Sequence, residues 1–517
     1  MGYPLSLLMA CAWFPGRTVA ALSTAAVVLA HGEVALGAGP LGDDGDPIAT
    51  SNYAVDMSQG VVLGGSRATG LGGAYVAIAE GVSGNLYNPA APAVRAAYSF
   101  RDTRLDLGIG AAFPGGVSDK DYFNSGSRTD VGAPRNDQFA FLFFEVVGNL
   151  QDGPWGGGLA LDFQTYGLQR SRATTTPEEE LTARFVTTHL QLARRFGDFS
   201  FGIGSRLTGL TILRDKAPIF DTTGSALELG AHYRPTDRQF RLGLALHSQV
   251  DPTTSTRSDE VIVSPDGDVV VLADPANPAS LDGALYIPDR VTLPWEIAAG
   301  AAIQFGRPFN PRWRNPTRLL AELRRYMKWR EQERLRWQRH ELTLGVEEGR
   351  DVEALREALD AQIDAERALD RAHLRRAQQQ VDAALRARYE ALSRRFLLVT
   401  TAVHVTGPLA NAVGVESFLE RTVQRSGGAT TYSPRLGVES EVVPHWLVLR
   451  TGTYCEPTRF SGRGSALRLH GTFGADLKLL KWKVFGLVHE GTFWRATGSI
   501  DYAARYLSFG AGLGIWH

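Results

Sequence analysis

From Ala97 onward the sequence is mostly a series of segments of roughly ten residues in which small or polar residues alternate with apolar or aromatic ones. Turn-forming residues separate the segments, as at Gly197-Asp198 and Pro444-His445. Alternation with period two is typical of strands with one apolar and one polar face. The segments number about fourteen, the even count that bacterial transmembrane barrels favour. We therefore expect an all-β transmembrane barrel of about 14 antiparallel strands.

A soluble β-sandwich shows the same alternation, and two further features favour an outer-membrane barrel over it. The apolar run 18–30 follows Arg17 and is too short to span a bilayer as a helix, so residues 1–38 are predicted to be a signal peptide for export. Aromatic residues also lie near strand ends, as an interfacial girdle requires. The tryptophans concerned are Trp155, Trp295, Trp446, Trp482, Trp494 and Trp516. The predicted location is the bacterial outer membrane.

Composition excludes several other classes of protein. The mean hydropathy of −0.13 does not fit a helical membrane protein, whereas barrels have weak hydropathy signals. A net charge of −1 over 517 residues argues against nucleic acid as a partner. After removal of the signal peptide only Cys455 remains, so no intramolecular disulfide forms.

The stretch 64–92, GGSRATGLGGAYVAIAEGVSGNLYNPAAP, does not fit the alternating pattern. Its many Gly and Ala residues bury little area, and each glycine loses much conformational freedom on folding. Such a segment is expected to be a compact, tightly turned piece packed inside something larger. Its apolar residues argue against a flexible linker. Gly70-Leu71-Gly72-Gly73 lacks the spacing and the βαβ context of a nucleotide-binding loop.

This stretch resembles the N-terminal segment of the FadL/TodX-like outer-membrane transporters for long-chain fatty acids and other hydrophobic compounds. In that family an Arg-x-x-Gly-x-Gly-Gly-Ala run and a following Asn-Pro-Ala turn form a hatch inside the barrel. The matching residues here are Arg67, Gly70, Gly72, Gly73, Ala74, Tyr87, Asn88, Pro89 and Ala90. The resemblance implies that residues 39–96 form a luminal hatch or plug. Arg67, Gly70, Gly72, Gly73, Tyr87, Asn88 and Pro89 are then the expected hatch and gating residues.

Residues 307–396 interrupt the strand pattern. Pro316 can begin a helix, and the chain then contains no proline until after Thr406. Leu and other apolar residues recur at spacings of three and four residues, with Arg and Glu between them. The segment is predicted to be a helical hairpin with a coiled-coil seam. It would divide the barrel into strands 1–8 in residues 97–306 and strands 9–14 in residues 397–517, and strand parity places it in the periplasm.

The same parity assigns the longer loops to the outside of the cell. They are expected near 113–136, 168–181, 213–225, 250–293, 420–433, 456–465 and 495–505. The 250–293 loop is expected to carry a hairpin, Val261 to Val271, turned at Pro265-Asp266-Gly267. Asp266 and Asp268 are candidate calcium ligands, although two carboxylates at a tight turn are more commonly part of the turn itself.

The sequence contains no HExxH, GxSxG or P-loop motif, and its histidines lack metal-ligand spacing. We therefore expect neither an enzyme nor a metal or cofactor site. The first functional hypothesis is passive uptake of hydrophobic small molecules, such as long-chain fatty acids or other lipids. The alternative is a barrel scaffold that docks a periplasmic protein through residues 316–395. Large polar side chains filling the lumen would favour the scaffold, and an apolar cavity of ligand size would favour transport.

Overall fold

The computed structural model describes residues 41–94, 103–113, 121–126, 140–170, 179–252, 254–256, 261–272, 281, 284–312, 315–393, 395–461, 467–481 and 493–515. The predicted signal peptide lies outside these residues, as do Trp482 and Trp516.

Fourteen long strands make up the main sheet. They are β1 Thr103–Phe113, β2 Ala140–Asp152, β3 Trp155–Arg170, β4 Glu179–Phe196, β5 Phe199–Arg214, β6 Ala217–Tyr233, β7 Phe240–His247, β8 Glu296–Gly306, β9 Phe396–Thr406, β10 Thr431–Val443, β11 Leu447–Pro457, β12 Leu467–Lys481, β13 Phe493–Ala503 and β14 Tyr506–Ile515. Each pairs antiparallel with the next strand in sequence.

The last strand closes the sheet on the first. β14 pairs with β1 from Gly108 opposite Gly514 to Phe113 opposite Phe509. Closure leaves every main strand with a neighbour on both sides, so the backbone polar groups are satisfied without a free edge. No helix in the described part of the chain is long and apolar enough to cross a membrane. The predicted all-β barrel of 14 antiparallel strands is confirmed.

The two faces of the barrel have the opposite polarity from a water-soluble protein. β7 shows this most simply, since Phe240, Leu242, Leu244 and Leu246 are exposed while the residues between them are buried. Elsewhere the buried strand residues include Asp, Glu, His and Arg side chains. An exposed apolar face with a polar interior is stable only when lipid covers the outside. The barrel is therefore an outer-membrane barrel.

A ring of aromatic side chains marks the periplasmic end of the barrel, where short turns join β2 to β3, β4 to β5 and β10 to β11. Trp155 and Trp446 are 45% and 57% exposed there. Phe196, Phe199 and Phe201 lie close together at the β4–β5 turn. This position suits the interfacial girdle expected of such barrels. Trp494 does not belong to it, because its side chain is only 7% exposed.

Two of the expected outer loops are strands instead. Residues 213–225 belong mostly to β5 and β6, which are joined by the two-residue turn Asp215-Lys216. Both turn residues have positive φ, 48° and 73°, as a type I′ hairpin turn requires. Residues 495–505 are mostly β13, which turns into β14 just after Ala503. Each hairpin resembled a loop in the sequence because its range contains turn residues, Asp215-Lys216 in one and Ala504-Arg505 in the other.

An outer lobe covers the extracellular end of the barrel. It consists of residues 41–63 and the described parts of the 248–295, 407–430 and 458–461 loops. Four short strands, Arg290–Thr292, Ala54–Asp56, Ala412–Gly414 and Arg425–Ser426, form its sheet. The lobe also contains the predicted Val261–Val271 hairpin. The Asp268 carboxylate accepts hydrogen bonds from Thr50 and Ser51, so in this structure it fastens the hairpin to the N-terminal segment.

The insertion between β8 and β9 is helical. α2 (Pro316–Leu319), α3 (Ala321–Glu347) and α4 (Val352–Glu390) follow the short N-terminal helix α1 (Ser66–Gly70) in chain order, and α5 (Val415–Glu420) lies in the outer lobe. Asn315 and Asp351 cap α2 and α4 through their side-chain oxygens.

α3 and α4 form the hairpin, and the middle of the seam between them is ionic. Leu359 and Ile363 of α4 are buried. Leu335 and Leu369 belong to the same apolar pattern in the sequence, but they are 38% and 71% exposed. Arg334 is buried between the helices and donates hydrogen bonds to Glu366 and Asp370.

The Glu416 carboxyl of α5 generates a prediction about pH. Burial, Glu420 and Asp121 raise its pKa from 4.5 to about 8, against the hydrogen bond from Ser125 and the charge of Arg505. The folded state then binds a proton that the unfolded state releases, so the contribution of this carboxyl to stability is greatest below pH 4.5 and falls as pH rises toward 8. Hydrogen exchange of residues 415–426 should report this loss of local stability between pH 5 and pH 8.

Replacement of Glu416 by Gln provides the comparison. Because glutamine does not titrate, E416Q should keep the same protection at both pH values after correction for intrinsic exchange rates. An equal loss of protection in wild type and variant would show that Glu416 does not control the stability of the lobe.

Candidate functional site

Residues 64–94, called the plug below, lie inside the barrel. They form α1, a 3₁₀ turn at Val82–Leu86 and a second at Ala91–Ala93, and they contact the walls at β1–β5 and at β11–β14. Leu71, Tyr75 and Ile78 are almost completely buried. Small residues fit this location because the plug must fold within the limited width of the lumen.

Glycines of the barrel wall allow the plug backbone to approach closely. A Cβ atom at Gly202 of β5 would overlap the Pro89 carbonyl, and one at Gly230 of β6 would overlap the Asn88 side chain. On the opposite wall, a Cβ at Gly452 of β11 would overlap the backbone of Leu71. Glycine in a strand interior commonly marks such an approach of a second backbone. The wall and the plug are therefore fitted to each other at backbone distance.

The Asn88-Pro89 turn is held by the Asn88 side chain, which is fully buried. Its Nδ2 donates to the Val76 carbonyl and to the Ala231 carbonyl of β6, each at 3.2 Å. Its Oδ1 accepts from the Ala90 amide at 3.0 Å. One side chain thus closes the turn, ties it to the rest of the plug and attaches it to the barrel wall.

Arg67 attaches the plug to the opposite wall through charge. Its guanidinium makes a bidentate pair with Glu439 of β10, at 2.9 Å and 2.7 Å. Arg450 of β11 donates to the same carboxylate and also to Asp476 of β12. Bidentate, charge-assisted hydrogen bonds are among the strongest in proteins. Moving Arg67 alone would leave the Glu439 charge with one cation fewer in a buried site, which is costly.

Glu80 is the second charged contact between plug and wall. It accepts from Arg241 of β7 at 2.9 Å and lies 3.6 Å from Arg234 and from Arg67. Burial by itself would raise the pKa of the Glu80 carboxyl, but Arg241, Arg234 and Arg67 outweigh burial and hold that pKa well below its usual range. Together these groups line a cavity of about 160 Å³ on the periplasmic side of the plug.

The remaining motif residues shape the plug itself. Gly72 and Gly73 have φ of 61° and 70°, which other residues adopt only with strain. A Cβ at Gly70 would come within 2.9 Å of the Gly474 backbone of β12. The Tyr87 hydroxyl donates within the plug, with the Leu63 and Gly64 carbonyls at 2.8 Å and 2.6 Å. The structure thus places all seven motif residues in the lumen, and their role in gating stays a prediction.

Further contacts between plug and wall had no signal in the sequence. Asn85 donates to the Gly148 carbonyl of β2, and Gln191 of β4 donates to the Asn85 carbonyl. Gln151 of β2 donates to the carbonyls of Pro92 and Val94. A polar residue within an alternating strand is ordinary lumen lining, so only the fold identifies these as attachment points.

A second cavity, of about 220 Å³, lies on the extracellular side of the plug. Its apolar lining comes mainly from the plug and the residues before it, and includes Val61, Val76 and Leu86. The barrel wall contributes the polar groups. Three histidines, His189, His247 and His404, are among them.

Most charges around this outer cavity are paired. Glu228 accepts from the Nδ1 atoms of His189 and His247, both at 2.8 Å, and Arg206 lies 3.2 Å from Glu296. Within the described residues, no group of three or more His, Cys, Asp or Glu side chains is placed to hold a metal ion.

The closed strand order, the apolar outer face and the filled lumen define an outer-membrane β-barrel with an internal plug. Comparison with solved structures finds barrels of this class. A Pseudomonas aeruginosa FadL homologue matches over 91% of this chain and 98% of its own, with 12% identity and a TM-score of 0.43. The P. putida toluene transporter TodX matches over 90% and 98%, with 9% identity and a TM-score of 0.41.

A monoaromatic hydrocarbon channel, CymD, matches over 89% of this chain and 97% of its own, with 9% identity and a TM-score of 0.42. No protein-family model and no curated protein matches the chain. The Arg67 to Ala90 motif resembles the hatch motif of the FadL/TodX-like barrels. Likeness at these TM-scores adds nothing about what the barrel carries.

The close fit at Gly202 gives a direct test of the plug. Replacement by Val would force the Pro89 turn away from the wall, and overpacking of this kind costs about 1–3 kcal/mol. The barrel should still form, with a lower transition temperature in a heat-modifiability assay, and trypsin should cleave after Arg67 in the loosened plug.

Gly471 of β12 is the matched control position. A Cβ there has no heavy atom within 4 Å, so Gly471→Val adds one side chain to the exposed face without touching the plug. Equal transition temperatures and equal resistance to trypsin in the two variants would contradict the fit between Gly202 and Pro89.

Proposed function

We propose that this barrel takes up hydrophobic small molecules that carry an acidic group, of which fatty acids are the representative class. Flow is passive, since the chain has no motif for nucleotide binding. The resemblance of residues 67–90 to the FadL/TodX-like hatch supports an uptake channel. The observation that carries the proposal is the outer cavity, which combines an apolar lining with an arginine that has no carboxylate partner among the described residues.

The apolar part of the outer cavity suits a hydrophobic ligand. At about 220 Å³ it exceeds the roughly 150 Å³ cavity that binds benzene in an engineered protein core. Burial of apolar surface against Val61, Val76 and Leu86 would stabilise the bound ligand by about 25 cal/mol per Å². The volume accommodates a ring or a length of alkyl chain.

Arg435 of β10 is the available cation. Within the described residues it has no carboxylate at ion-pair distance, unlike Arg206 in the same cavity. Its Nε lies 3.4 Å from the Ser433 hydroxyl, and its guanidinium lies 5.8 Å from the Tyr454 ring. A Cβ at Gly73 would come within 2.5 Å of this guanidinium, so a motif glycine makes room for it. A ligand carboxylate would complete the charge pairing at this site.

Exit from the outer cavity needs a change in the barrel. The plug lies between the two cavities, and the inner cavity is lined largely by charged side chains, among them Arg67, Glu80, Arg234, Arg241 and Arg450, beside apolar ones such as Phe309 and Phe396. The ligand therefore leaves when the plug shifts, or through an opening in the wall. A shift of the plug would separate Arg67 from Glu439, whereas an opening in the wall would leave that pair intact.

Binding of dodecanoate and dodecanol to the purified protein tests the role of Arg435. Arg435→Gln should weaken dodecanoate binding by about 10- to 100-fold, because a hydrogen bond to a charged group is worth about 1.5–3 kcal/mol. Dodecanol, which has no charge, should bind with unchanged affinity. Isothermal titration calorimetry in detergent measures both ligands.

Arg184→Gln serves as the control for this experiment. Arg184 is an exposed residue on β4 and is not part of the cavity lining, so its replacement should affect neither ligand. Equal weakening of dodecanoate by both variants would assign the effect to net charge. Failure of either ligand to bind wild-type protein would remove the uptake proposal.

A scaffold within an outer-membrane assembly is the second candidate, and the ionic inner cavity favours it. Large charged side chains crowd the periplasmic half of the lumen and leave a cavity of only about 160 Å³ there. The hairpin of α3 and α4 would then dock a periplasmic protein.

Replacement of residues 316–393 by a short Gly-Ser linker separates the two functions. The uptake proposal predicts that cells with the linker variant still accumulate labelled dodecanoate. The scaffold proposal predicts that the linker variant loses a co-purifying protein. It also predicts that Arg435→Gln does not change dodecanoate accumulation.

A further inference from the structure

The helical hairpin has two halves of opposite charge. The half attached to the barrel, residues 307–330 and 371–395, contains 15 Arg and Lys residues and three Asp and Glu residues, a net charge of +12. The distal half, residues 331–370, contains six basic and 12 acidic residues, a net charge of −6. We call these halves the hairpin base and the hairpin tip. An even mixture of charges, as in an ordinary solvated spacer, would not separate in this way.

The boundary between base and tip coincides with a change in the seam. Arg330 and Arg334 of α3 pair with Asp370 of α4, and Arg367 of α4 pairs with Glu331 of α3. The acidic residues at the boundary between base and tip therefore already pair with arginines of the hairpin itself. In the base, Arg324, Arg325 and Lys328 are exposed, and within the described residues none of them has a carboxylate at ion-pair distance. Their positive charges can therefore interact with an anionic partner outside the hairpin.

Aromatic side chains accompany these cations. Tyr326 and Trp329 are 53% and 54% exposed, and their rings stack with centroids 5.8 Å apart. Arg325 and Trp329 are four residues apart in α3, so they share one face of that helix. Exposed tryptophan and tyrosine among basic residues are typical of segments that lie in a membrane interface.

The hairpin base is also anchored at the periplasmic rim of the barrel. Phe309, three residues after β8, is 6% exposed and packs with Tyr75 and Ile78 of the plug and with Leu398 of β9. The Asn310 side chain donates to the carbonyls of Arg238 and Phe240 beside β7. At 1.5 Å per residue, Trp329 is at most about 20 Å along the helices from Pro316. The base is therefore within reach of the periplasmic leaflet.

We propose that the hairpin base binds the anionic phospholipids of the periplasmic leaflet, with the acidic tip directed away from it. Each Lys or Arg near an anionic bilayer surface contributes about 1 kcal/mol. The same surface repels the tip, so the charge separation orients the hairpin. This function is independent of what the barrel carries.

Spin labels on the full-length protein in nanodiscs test the proposal. In a Cys455→Ser background, one label is placed by Glu322→Cys in the base and another by Val346→Cys at the tip, where Val346 is 63% exposed. The nanodiscs contain phosphatidylcholine alone or with one part in four of phosphatidylglycerol. The relative accessibility of each label to oxygen and to a water-soluble nickel complex reports its depth.

With phosphatidylglycerol present, the base label should gain oxygen accessibility and lose nickel accessibility by about two-fold or more, and the tip label should not change. The variant R318Q/R324Q/R325Q/K328Q should abolish this shift. The variant R336Q/R339Q/R350Q/R356Q, which removes the same charge from the tip, should keep it. Salt at 0.5 M should reduce the shift, because screening shortens the reach of exposed charges.

Several outcomes would overturn the proposal. A base label that stays in water in both lipid mixtures excludes binding to the leaflet. An equal loss of the shift in both four-residue variants shows that overall charge, and not the base, is responsible. Capture of an acidic periplasmic protein by the base, with no response to phosphatidylglycerol, would assign the same charges to a protein partner.

Discussion

The rest of the structure depends on the pairing of β14 with β1. In lipid an unpaired backbone N–H or C=O costs several kcal/mol, so a sheet that crosses the bilayer has to close on itself. Closure of fourteen strands encloses a lumen too wide for the side chains of the wall to fill. The plug fills it, and the wall glycines, including Gly202 and Gly452, let its backbone pack directly against the strands.

Charge pairing then decides how firmly the plug is held. Arg67 meets Glu439 of β10, whose carboxylate also pairs with Arg450, and Glu80 meets Arg241 of β7. Such groups are stable only as a set, because removal of one member leaves a buried charge without its partner. The network divides the lumen into an outer cavity with apolar lining and an inner cavity with ionic lining. This division makes the outer cavity the better candidate for binding a hydrophobic ligand, and makes passage through the centre the step that needs a structural change.

Outside the barrel, the hairpin follows a different rule. Its seam is short of apolar contacts at mid-length, where Arg334, Glu366 and Asp370 take their place. Surface ion pairs contribute little stability individually, although a network with a buried arginine contributes more. The hairpin is therefore held by less apolar packing than the barrel. Its two halves of opposite charge would let an anionic membrane surface set its orientation.

The barrel, the number of its strands, the position of the helical insertion and the small-residue plug could all be predicted from the sequence. Each of these predictions rests on a periodic or local pattern. Apolar residues recur every two residues in the strands and every three or four residues in the helices, and the plug is marked by the Arg67 to Pro89 motif. Local pattern failed where a polar turn such as Asp215-Lys216 lies within a long hairpin, since a turn and a loop have the same composition.

Which residues meet in the lumen could not be predicted before the fold was known. Glu439 lies 372 residues from Arg67, and Arg435 becomes the available cation of the outer cavity because strand register places it beside Gly73. A register shift of one residue would turn every such side chain toward lipid, and single-strand pattern does not fix register. The contacts of the lumen are set by the closure of the whole sheet, which no local stretch of sequence contains.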